Sequence, residues 1–312
     1  MDIVLLFPGQ GSQKPGMGKD LSDAFPEARR TFDEADSTLG FALSKLCFEG
    51  PAEELTETRN AQPALLAHGA AVWAVTKAAL AGKVRAAAGH SLGEHTAYHA
   101  AGSTTLAEAV KLVRRRGELM NETGIARPGT MAAILGTPSR PIAEICEEAT
   151  REAGMVVPAN YNSDEQTVIS GEVAGVEKAM ELAKTAGAKR ALRLPVSGAF
   201  HSPLMEPAAD GFKTAVDAAP FADPRFPIYS NVDAMPSTSA SHAREMLFRQ
   251  LTAPVLWSTV VRNIARDIPG ALYVEMGPGA VLSGLVPRLV PGANAISCGA
   301  PADIEKLLQM VA

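Results

Sequence analysis

The amino-acid sequence predicts an α/β protein with a parallel β-sheet in a large domain and a small βαββαβ domain inserted into it. Before residue 124, short apolar runs such as "IVLLF" (3–7) and "VRAAAG" (84–89) alternate with longer helical patterns. After residue 129 the order becomes strand, helix, two strands, helix and strand, which is the ferredoxin-like arrangement. We therefore predict a discontinuous large domain over residues 1–128 and 197–312 and a ferredoxin-like small domain over residues 129–196.

The individual elements follow from hydrophobic periodicity and from glycine and proline boundaries. In the large domain we expect strand 3–7, an amphipathic helix within 23–40, a polar connection 51–60, a core helix 61–80, strand 84–89, and helices 92–102 and 105–122. In the small domain we expect strand 130–136, helix 140–154, strands 155–162 and 166–172, helix 174–188 and strand 189–196. The chain then returns to the large domain with strand 226–234, a polar loop 235–243, a helix near 241–251, strand 271–277 and a C-terminal helix.

Composition excludes several classes of function. With 46% hydrophobic residues and a net charge of −5 over 312 residues, the chain has a globular balance and no electrostatic support for a nucleic-acid partner. The most apolar stretch, 61–80, is interrupted by His68, Thr76 and Lys77, so we expect no membrane span. Cys47, Cys146 and Cys298 lie far apart, which favours a reducing cytoplasmic setting and argues against disulfides or a zinc site.

The stretch "GHSLG" (89–93) matches the G-x-S-x-G pattern of a nucleophile elbow. In that turn a strand passes sharply into a helix and holds a serine at the tip, and the next backbone N–H faces a developing oxyanion. The predicted strand before it and helix after it supply the required context. We therefore favour Ser91 as a nucleophile over an ordinary glycine-rich turn.

A serine nucleophile needs a base, and the chain has six histidines. His201 lies in the turn-rich stretch "LPVSGAFHSPLMEP" beside the predicted domain junction and follows Ser91 in chain order, as hydrolase bases do. No aspartate stands in an obvious strand-end loop between them, so either the pair has no acid or a backbone carbonyl orients the imidazole. We expect packing or surface roles for the other five histidines: His68, His90, His95, His99 and His242.

Arg116 lies at the edge of the apolar arc of its predicted helix, whereas Arg114 and Arg115 fall outside that arc. An arginine turned inward needs an anionic partner, which helix phase alone leaves open between a structural carboxylate and a ligand carboxylate. The loop "FPGQGSQ" (7–13) lacks the lysine and spacing of a phosphate loop. We interpret it as a source of a backbone N–H for an oxyanion hole.

Eight stretches together resemble the acyltransferase family of fatty-acid and polyketide synthesis, and within it the malonyl-CoA:acyl carrier protein transacylases. They cover nearly the whole chain in the family's order: "FPGQGSQ", "QPALLA", "GHSLGE", "RRRGELM", "LPVSGAFHSPLM", "SNVD", "RQLTAPVLW" and "EMGPGAVLSGL". The resemblance implies a hydrolase-like large domain with a ferredoxin-like insertion. It also implies ping-pong transfer of a malonyl group through a serine ester.

The resemblance assigns roles to individual residues. It implies that Ser91 is acylated, that His201 is its base and that the backbone carbonyl of Gln250 orients the histidine. It places the oxyanion hole at the backbone N–H groups of Gln10 and Leu92.

The same resemblance describes the acyl pocket. Arg116 would bind the free malonyl carboxylate through two parallel hydrogen bonds, and Gln62 and Met120 would line the pocket. Phe200 would crowd a branch at the α-carbon and so favour malonyl over methylmalonyl. His95 departs from the aromatic or small residue common in the family, and would perturb the pocket wall or merely pack.

The resemblance also implies the partners. Malonyl-CoA and a phosphopantetheinylated acyl carrier protein would be the substrates, with no metal or redox cofactor, and we expect a monomer although the sequence leaves the oligomeric state open. Lys189, Arg190 and Arg193 could face an acidic carrier helix or simply be solvated. Three alternatives stay open: a hydrolase that clears acyl groups from carrier proteins, a transacylase for another acyl unit, and a docking protein without activity.

Overall fold

The computed structural model describes residues 1–196 and 198–312 and contains two β-sheets. The larger sheet has six strands in the order β10-β9-β1-β2-β7-β8. Its pairings are parallel except for the short edge strand β8, which runs antiparallel to β7. The strands are β1 (Ile3–Phe7), β2 (Val84–Gly89), β7 (Ile228–Tyr229), β8 (Pro236–Ser237), β9 (Leu272–Met276) and β10 (Asn294–Cys298).

Helices cover both faces of this sheet, and β1 shows why. All five residues of β1 are buried; Ile3, Leu5 and Phe7 enter one apolar cluster, whereas Val4 and Leu6 enter another on the opposite face. A strand apolar on both faces is typical of a parallel sheet between helical layers. The helices outside the small sheet are α1 (Lys19–Ala24), α2 (Pro26–Leu39), α3 (Leu43–Glu49), α4 (Ala52–Thr56), α5 (Thr58–Thr76), α6 (Leu92–Ala100), α7 (Leu106–Ala126), α10 (Glu206–Ala218), α11 (Ala240–Arg249), α12 (Trp257–Asp267), α13 (Val281–Leu289) and α14 (Pro301–Val311).

The second sheet is antiparallel, with strand order β4-β5-β3-β6. Its elements run in chain order as β3 (Thr130–Leu135), α8 (Ile142–Glu152), β4 (Val156–Ser163), β5 (Gln166–Gly171), α9 (Val173–Thr185) and β6 (Arg190–Arg193). This is the βαββαβ order expected from the sequence, and the predicted α/β fold class is confirmed. The domain boundaries at residues 129 and 196 stay a prediction.

The turn between β2 and α6 is built by close backbone packing. Ser91 has φ 50° and ψ −108°, a strained conformation for a residue with a side chain. A Cβ on Gly89 would lie 1.9 Å from the carbonyl carbon of Gly93, and a Cβ on Gly93 would lie 2.0 Å from the carbonyl oxygen of Phe7. The two glycines therefore allow α6 to start directly against the ends of β1 and β2, with Ser91 at the tip.

Some elements differ from the sequence expectation. The predicted polar connection 51–60 contains α4 and the first turn of α5, which begins at Thr58 and ends at Thr76. His242 belongs to α11, whose N-terminus is capped by the side chain of Ser239, and does not lie in a loop. The predicted strand 226–234 shortens to the two residues of β7.

Within the described residues, no helix is both long enough and apolar enough to cross a membrane.

We predict that Gly93→Ala destabilises the protein by about 3 kcal/mol or more, because its Cβ meets backbone atoms that cannot move independently. Gly284→Ala is the matched control, since its Cβ meets nothing within 4 Å in α13, and we expect a gain of about 1 kcal/mol from helix propensity. Thermal unfolding of both variants measures the difference. Equal melting temperatures would show that the β2–α6 turn relaxes around an added methyl group.

Candidate active site

The structure brings Ser91 and His201 together from different parts of the chain. Ser91 is the N-cap residue of α6, and its Oγ lies 2.8 Å from Nε2 of His201. His201 lies two residues before a short 3₁₀ turn (Pro203–Met205), whose N-cap is Ser202, and also has a positive φ, of 56°. This distance allows the imidazole to accept the serine proton.

The other imidazole nitrogen of His201 faces a backbone carbonyl. Nδ1 lies 2.8 Å from the carbonyl oxygen of Gln250, the residue that ends α11. The carbonyl accepts the Nδ1 proton and leaves Nε2 as an acceptor toward Ser91. Burial, reinforced by the positive charge of Arg116, lowers the pKa of His201 to about 3, so the imidazole is neutral at physiological pH.

Arg116 is almost completely buried, with 1% of its surface exposed. Its Nη1 donates to Oε1 of Gln62 at 2.8 Å, and its Nη2 donates to Oε1 of Gln250 at 2.9 Å and to Oγ of Ser91 at 3.1 Å. All three acceptors are uncharged. Burial lowers the pKa of Arg116 to about 10, so the group stays cationic and can accept an anionic ligand beside the nucleophile.

The neighbouring arginines point elsewhere, as helix phase predicts. Arg115 is exposed and lies 3.7 Å from Glu118 and Glu122. Arg114 is half-buried and donates to Glu118 at 2.7 Å. Only Arg116 of this trio reaches the site.

Ser91 and Arg116 open into a cavity of about 440 Å³. The sequence-predicted residues that line it are Gln10, Ser91, Leu92, Arg116, Met120, Phe200 and His201. Gln62 is an exception to the predicted pocket lining: it lies behind Arg116, where it also donates to the sulfur of Met120 at 3.4 Å.

A candidate oxyanion site and a second cavity adjoin this cavity. Leu92 is the first residue of α6, so its N–H has no partner within the helix, and Gln10 lies on the same cavity wall. A second cavity of about 490 Å³ shares Gln10, Gly11 and His90 with the first. Together they leave room for a substrate much longer than an acyl group.

Sequence reasoning missed two buried residues that support this site. Glu94 is completely buried, and its Oε2 accepts from Nε2 of Gln250 at 2.7 Å and from the backbone N–H of Asn231 at 3.1 Å. Asn231 accepts the N–H of Ser91 at 2.7 Å and donates to the carbonyl of Gly89 at 2.8 Å. Both residues stand in the matched stretches "GHSLGE" and "SNVD", which was the available signal.

Two other histidines lie near the site, and of these His90 lines both cavities, against the packing or surface role expected from the sequence. Nε2 of His90 lies 2.8 Å from Oδ1 of Asn162 in β4, which links α6's turn to the small sheet. His95 is buried, and its ring packs edge-on against Phe212 rather than lining the cavity.

No group of three or more histidine, cysteine, aspartate or glutamate side chains suited to a metal ion occurs among residues 1–196 and 198–312.

Comparison with known proteins gives the same family from sequence and from structure. The model of the acyl transferase domain family matches residues 4–294. A malonyl CoA-acyl carrier protein transacylase of Bacillus subtilis is 47% identical, covering 98% of this chain and 96% of the relative. A malonyl CoA-acyl carrier protein transacylase of Escherichia coli K12 is 43% identical, and the match covers 99% of this chain and 99% of the relative.

Comparison with solved structures gives the same family. An acyl-carrier-protein S-malonyltransferase from Bartonella henselae superposes with a TM-score of 0.95 at 41% identity, covering 100% of this chain and 99% of that one. A malonyl transacylase in complex with a type II polyketide synthase acyl carrier protein gives a TM-score of 0.95 at 41% identity, with coverage of 99% and 100%. The resemblance drawn from sequence is thus confirmed, and the chain belongs to the acyl transferase domain family, among its malonyl-CoA:acyl carrier protein transacylases.

Proposed function

We propose that this acyltransferase moves a malonyl group from malonyl-CoA to the phosphopantetheine thiol of an acyl carrier protein through a malonyl-Ser91 ester. One observation carries the choice of acyl group: a buried guanidinium, that of Arg116, lies 3.1 Å from the nucleophilic oxygen. A malonyl thioester presents a carboxylate two bonds from the carbonyl carbon that Ser91 attacks. Arg116 can bind that carboxylate with two hydrogen bonds in exchange for its neutral acceptors.

In the first half-reaction, Oγ of Ser91 attacks the thioester carbonyl while Nε2 of His201 takes its proton. The carbonyl oxygen becomes an oxyanion that accepts hydrogen bonds from the N–H groups of Gln10 and Leu92. The intermediate then expels the thiol of coenzyme A, which leaves with the proton held by His201. The ester of Ser91 remains, and His201 is neutral again.

In the second half-reaction the thiol of the carrier protein attacks the malonyl ester and gives its proton to His201. The malonyl group passes to the carrier thiol, and His201 returns the proton to Oγ of Ser91.

The relative solved with an acyl carrier protein supports this partner. Lys189, Arg190 and Arg193 are exposed along β6 and just before it, the strand that leads to Leu194 on the cavity wall; Arg193 lies 3.6 Å from Glu177. We propose this basic group as one contact for the acidic carrier.

We also propose how the protein works without a cofactor, which pathways it serves, where it acts and in which oligomeric state. The reaction as written needs no metal or redox cofactor, because proton transfer and oxyanion stabilisation come from the chain itself. Supply of malonyl units would serve fatty-acid or polyketide synthesis in the cytoplasm, and the protein would act as a monomer.

Intact-mass measurement after mixing with malonyl-CoA tests the proposed function. We expect a malonyl adduct on the wild type, none on Ser91→Ala, and transfer of the adduct to a phosphopantetheinylated carrier protein. Arg116→Ala should lower malonyl loading about 100-fold or more, because it removes two charge-assisted hydrogen bonds. Arg115→Ala, the exposed neighbour, should load like the wild type. Free malonate in place of carrier-bound malonyl would identify a hydrolase instead.

The lowered pKa of His201 predicts an unusual pH profile. A low pKa keeps the imidazole neutral, and therefore able to accept a proton, at mildly acidic pH. The rate of malonyl loading should hold down to pH 5.5, where an ordinary histidine would be about 90% protonated. Rapid-quench loading rates between pH 8 and pH 5.5, with circular dichroism as the control for folding, measure this. A fall in rate with a midpoint near 6.5 would contradict it.

Phe200 is buried and lines the acyl cavity, so its ring should exclude a methyl branch from the acyl group. We expect Phe200→Ser to raise loading from methylmalonyl-CoA relative to malonyl-CoA about tenfold, within the range that pocket shape controls. Competition between the two thioesters, read by mass, measures the ratio. An unchanged ratio would place the selectivity elsewhere in the cavity.

A further inference from the structure

Glu94 is a buried carboxylate that the proposed reaction does not use. It lies in the first turn of α6, is completely buried, and holds Gln250 and Asn231 through one oxygen, Oε2. Burial raises the pKa of Glu94 to about 7, and its two hydrogen bonds and the positive charge of Arg116 oppose that rise. A buried carboxylate is costly, which calls for a reason in the site that it touches.

Hydrogen-bond polarity supplies the reason. The side-chain amide of Gln250 lies between Glu94 and Arg116: its Nε2 donates to Glu94 at 2.7 Å, and its Oε1 accepts from Arg116 at 2.9 Å. Oε2 of Glu94 accepts both of its hydrogen bonds, and a guanidinium only donates them. The amide has one donor end and one acceptor end, so only one of its two orientations satisfies both neighbours.

We propose that Glu94 is a positioning residue for the malonyl carboxylate site, acting on Arg116 through the side-chain amide of Gln250. By accepting from Nε2, it turns Oε1 of Gln250 toward Arg116 and fixes the guanidinium where the substrate carboxylate arrives. Without Glu94 the NH₂ group of Gln250 keeps one longer acceptor, the backbone carbonyl of Ser91 at 3.1 Å, so the amide orientation that faces Oε1 toward Arg116 is held less firmly. The inference rests on the proposed function, because it assigns a positioning residue to the same site.

Glu94 also touches the nucleophile turn, and the two roles must be separated. Through Asn231 the carboxylate supports the backbone at Ser91. Loss of that support would weaken attack on every ester equally. Because Arg116 also donates to Oγ of Ser91, loss of its positioning would affect every ester to some extent, but substrates with a carboxylate far more. p-Nitrophenyl acetate has no carboxylate, so its cleavage by Ser91 reports the nucleophile and base alone.

The test compares malonyl loading from malonyl-CoA with p-nitrophenolate release from p-nitrophenyl acetate, corrected with Ser91→Ala. For Glu94→Met we expect malonyl loading to fall at least tenfold while p-nitrophenolate release stays within threefold. Glu94→Gln keeps an oxygen acceptor for both donors, and should stay within threefold of wild type for both substrates. Equal losses on both substrates in Glu94→Met would reduce Glu94 to a support of the turn and overturn the proposal.

A second variant covers the case in which Glu94→Met fails to fold. Gln250→Met removes the amide, together with its hydrogen bond to the carbonyl of Ser91 at 3.1 Å, but leaves the backbone carbonyl that faces His201 and the contact between Glu94 and Asn231. We expect malonyl loading to fall at least tenfold, with no further fall when both methionine substitutions are combined, because both break one chain of contacts. A Gln250→Met variant with unchanged malonyl loading would overturn the proposal, as would a Glu94→Gln variant as impaired as Glu94→Met. A wild type that forms no malonyl adduct would instead refute the proposed function itself.

Discussion

The candidate active site is organised around the guanidinium of Arg116, which is buried and donates its hydrogen bonds to uncharged acceptors. Removing a cation from water is costly unless its donors are satisfied; here three oxygens accept from Nη1 and Nη2, whereas the buried Nε has no partner among the described residues. In the proposed function, the malonyl carboxylate offsets this cost when it binds. The same charge helps to keep His201 neutral, so the group proposed to select the acyl chain also keeps the base ready to accept a proton.

Helix packing brings that guanidinium to the nucleophile. Gly117 follows Arg116 in α7, and a Cβ there would lie 2.7 Å from Cα of Arg59, at the start of α5. The absence of a side chain lets α7 lie directly against α5, which carries Gln62 to Nη1 of Arg116. Thus backbone contact between two helices sets the position of the charge, and the polar contacts fix its orientation.

The sequence was most informative where the structure is determined locally. Ser91 and its turn follow from five residues, because the crowding at Gly89 and Gly93 involves the strand and helix on either side. Helix phase distinguished Arg116 from its neighbours but not its partner, which depends on residues 54 and 134 positions away. Glu94 carried no local sign of burial, since its partners lie 137 and 156 positions along the chain. The helices α10, α12 and α13 were also missed; α13 contains Pro287, which argues against a helix on sequence alone.

Ser91 and His201 both have positive φ angles, a conformation that costs of order 1–3 kcal/mol for residues with side chains. Each is held by contacts outside its own segment: the N–H of Ser91 by Asn231, and the ring of His201 by the carbonyl of Gln250. These contacts hold the strained backbone so that Oγ of Ser91 and Nε2 of His201 lie 2.8 Å apart before any substrate binds. The two side chains therefore lose less conformational freedom when the reaction begins. Because Glu94 binds both Asn231 and Gln250, one buried carboxylate connects the supports of the nucleophile, the base and the guanidinium. We propose that connection as the reason for a buried carboxylate that the reaction itself does not use.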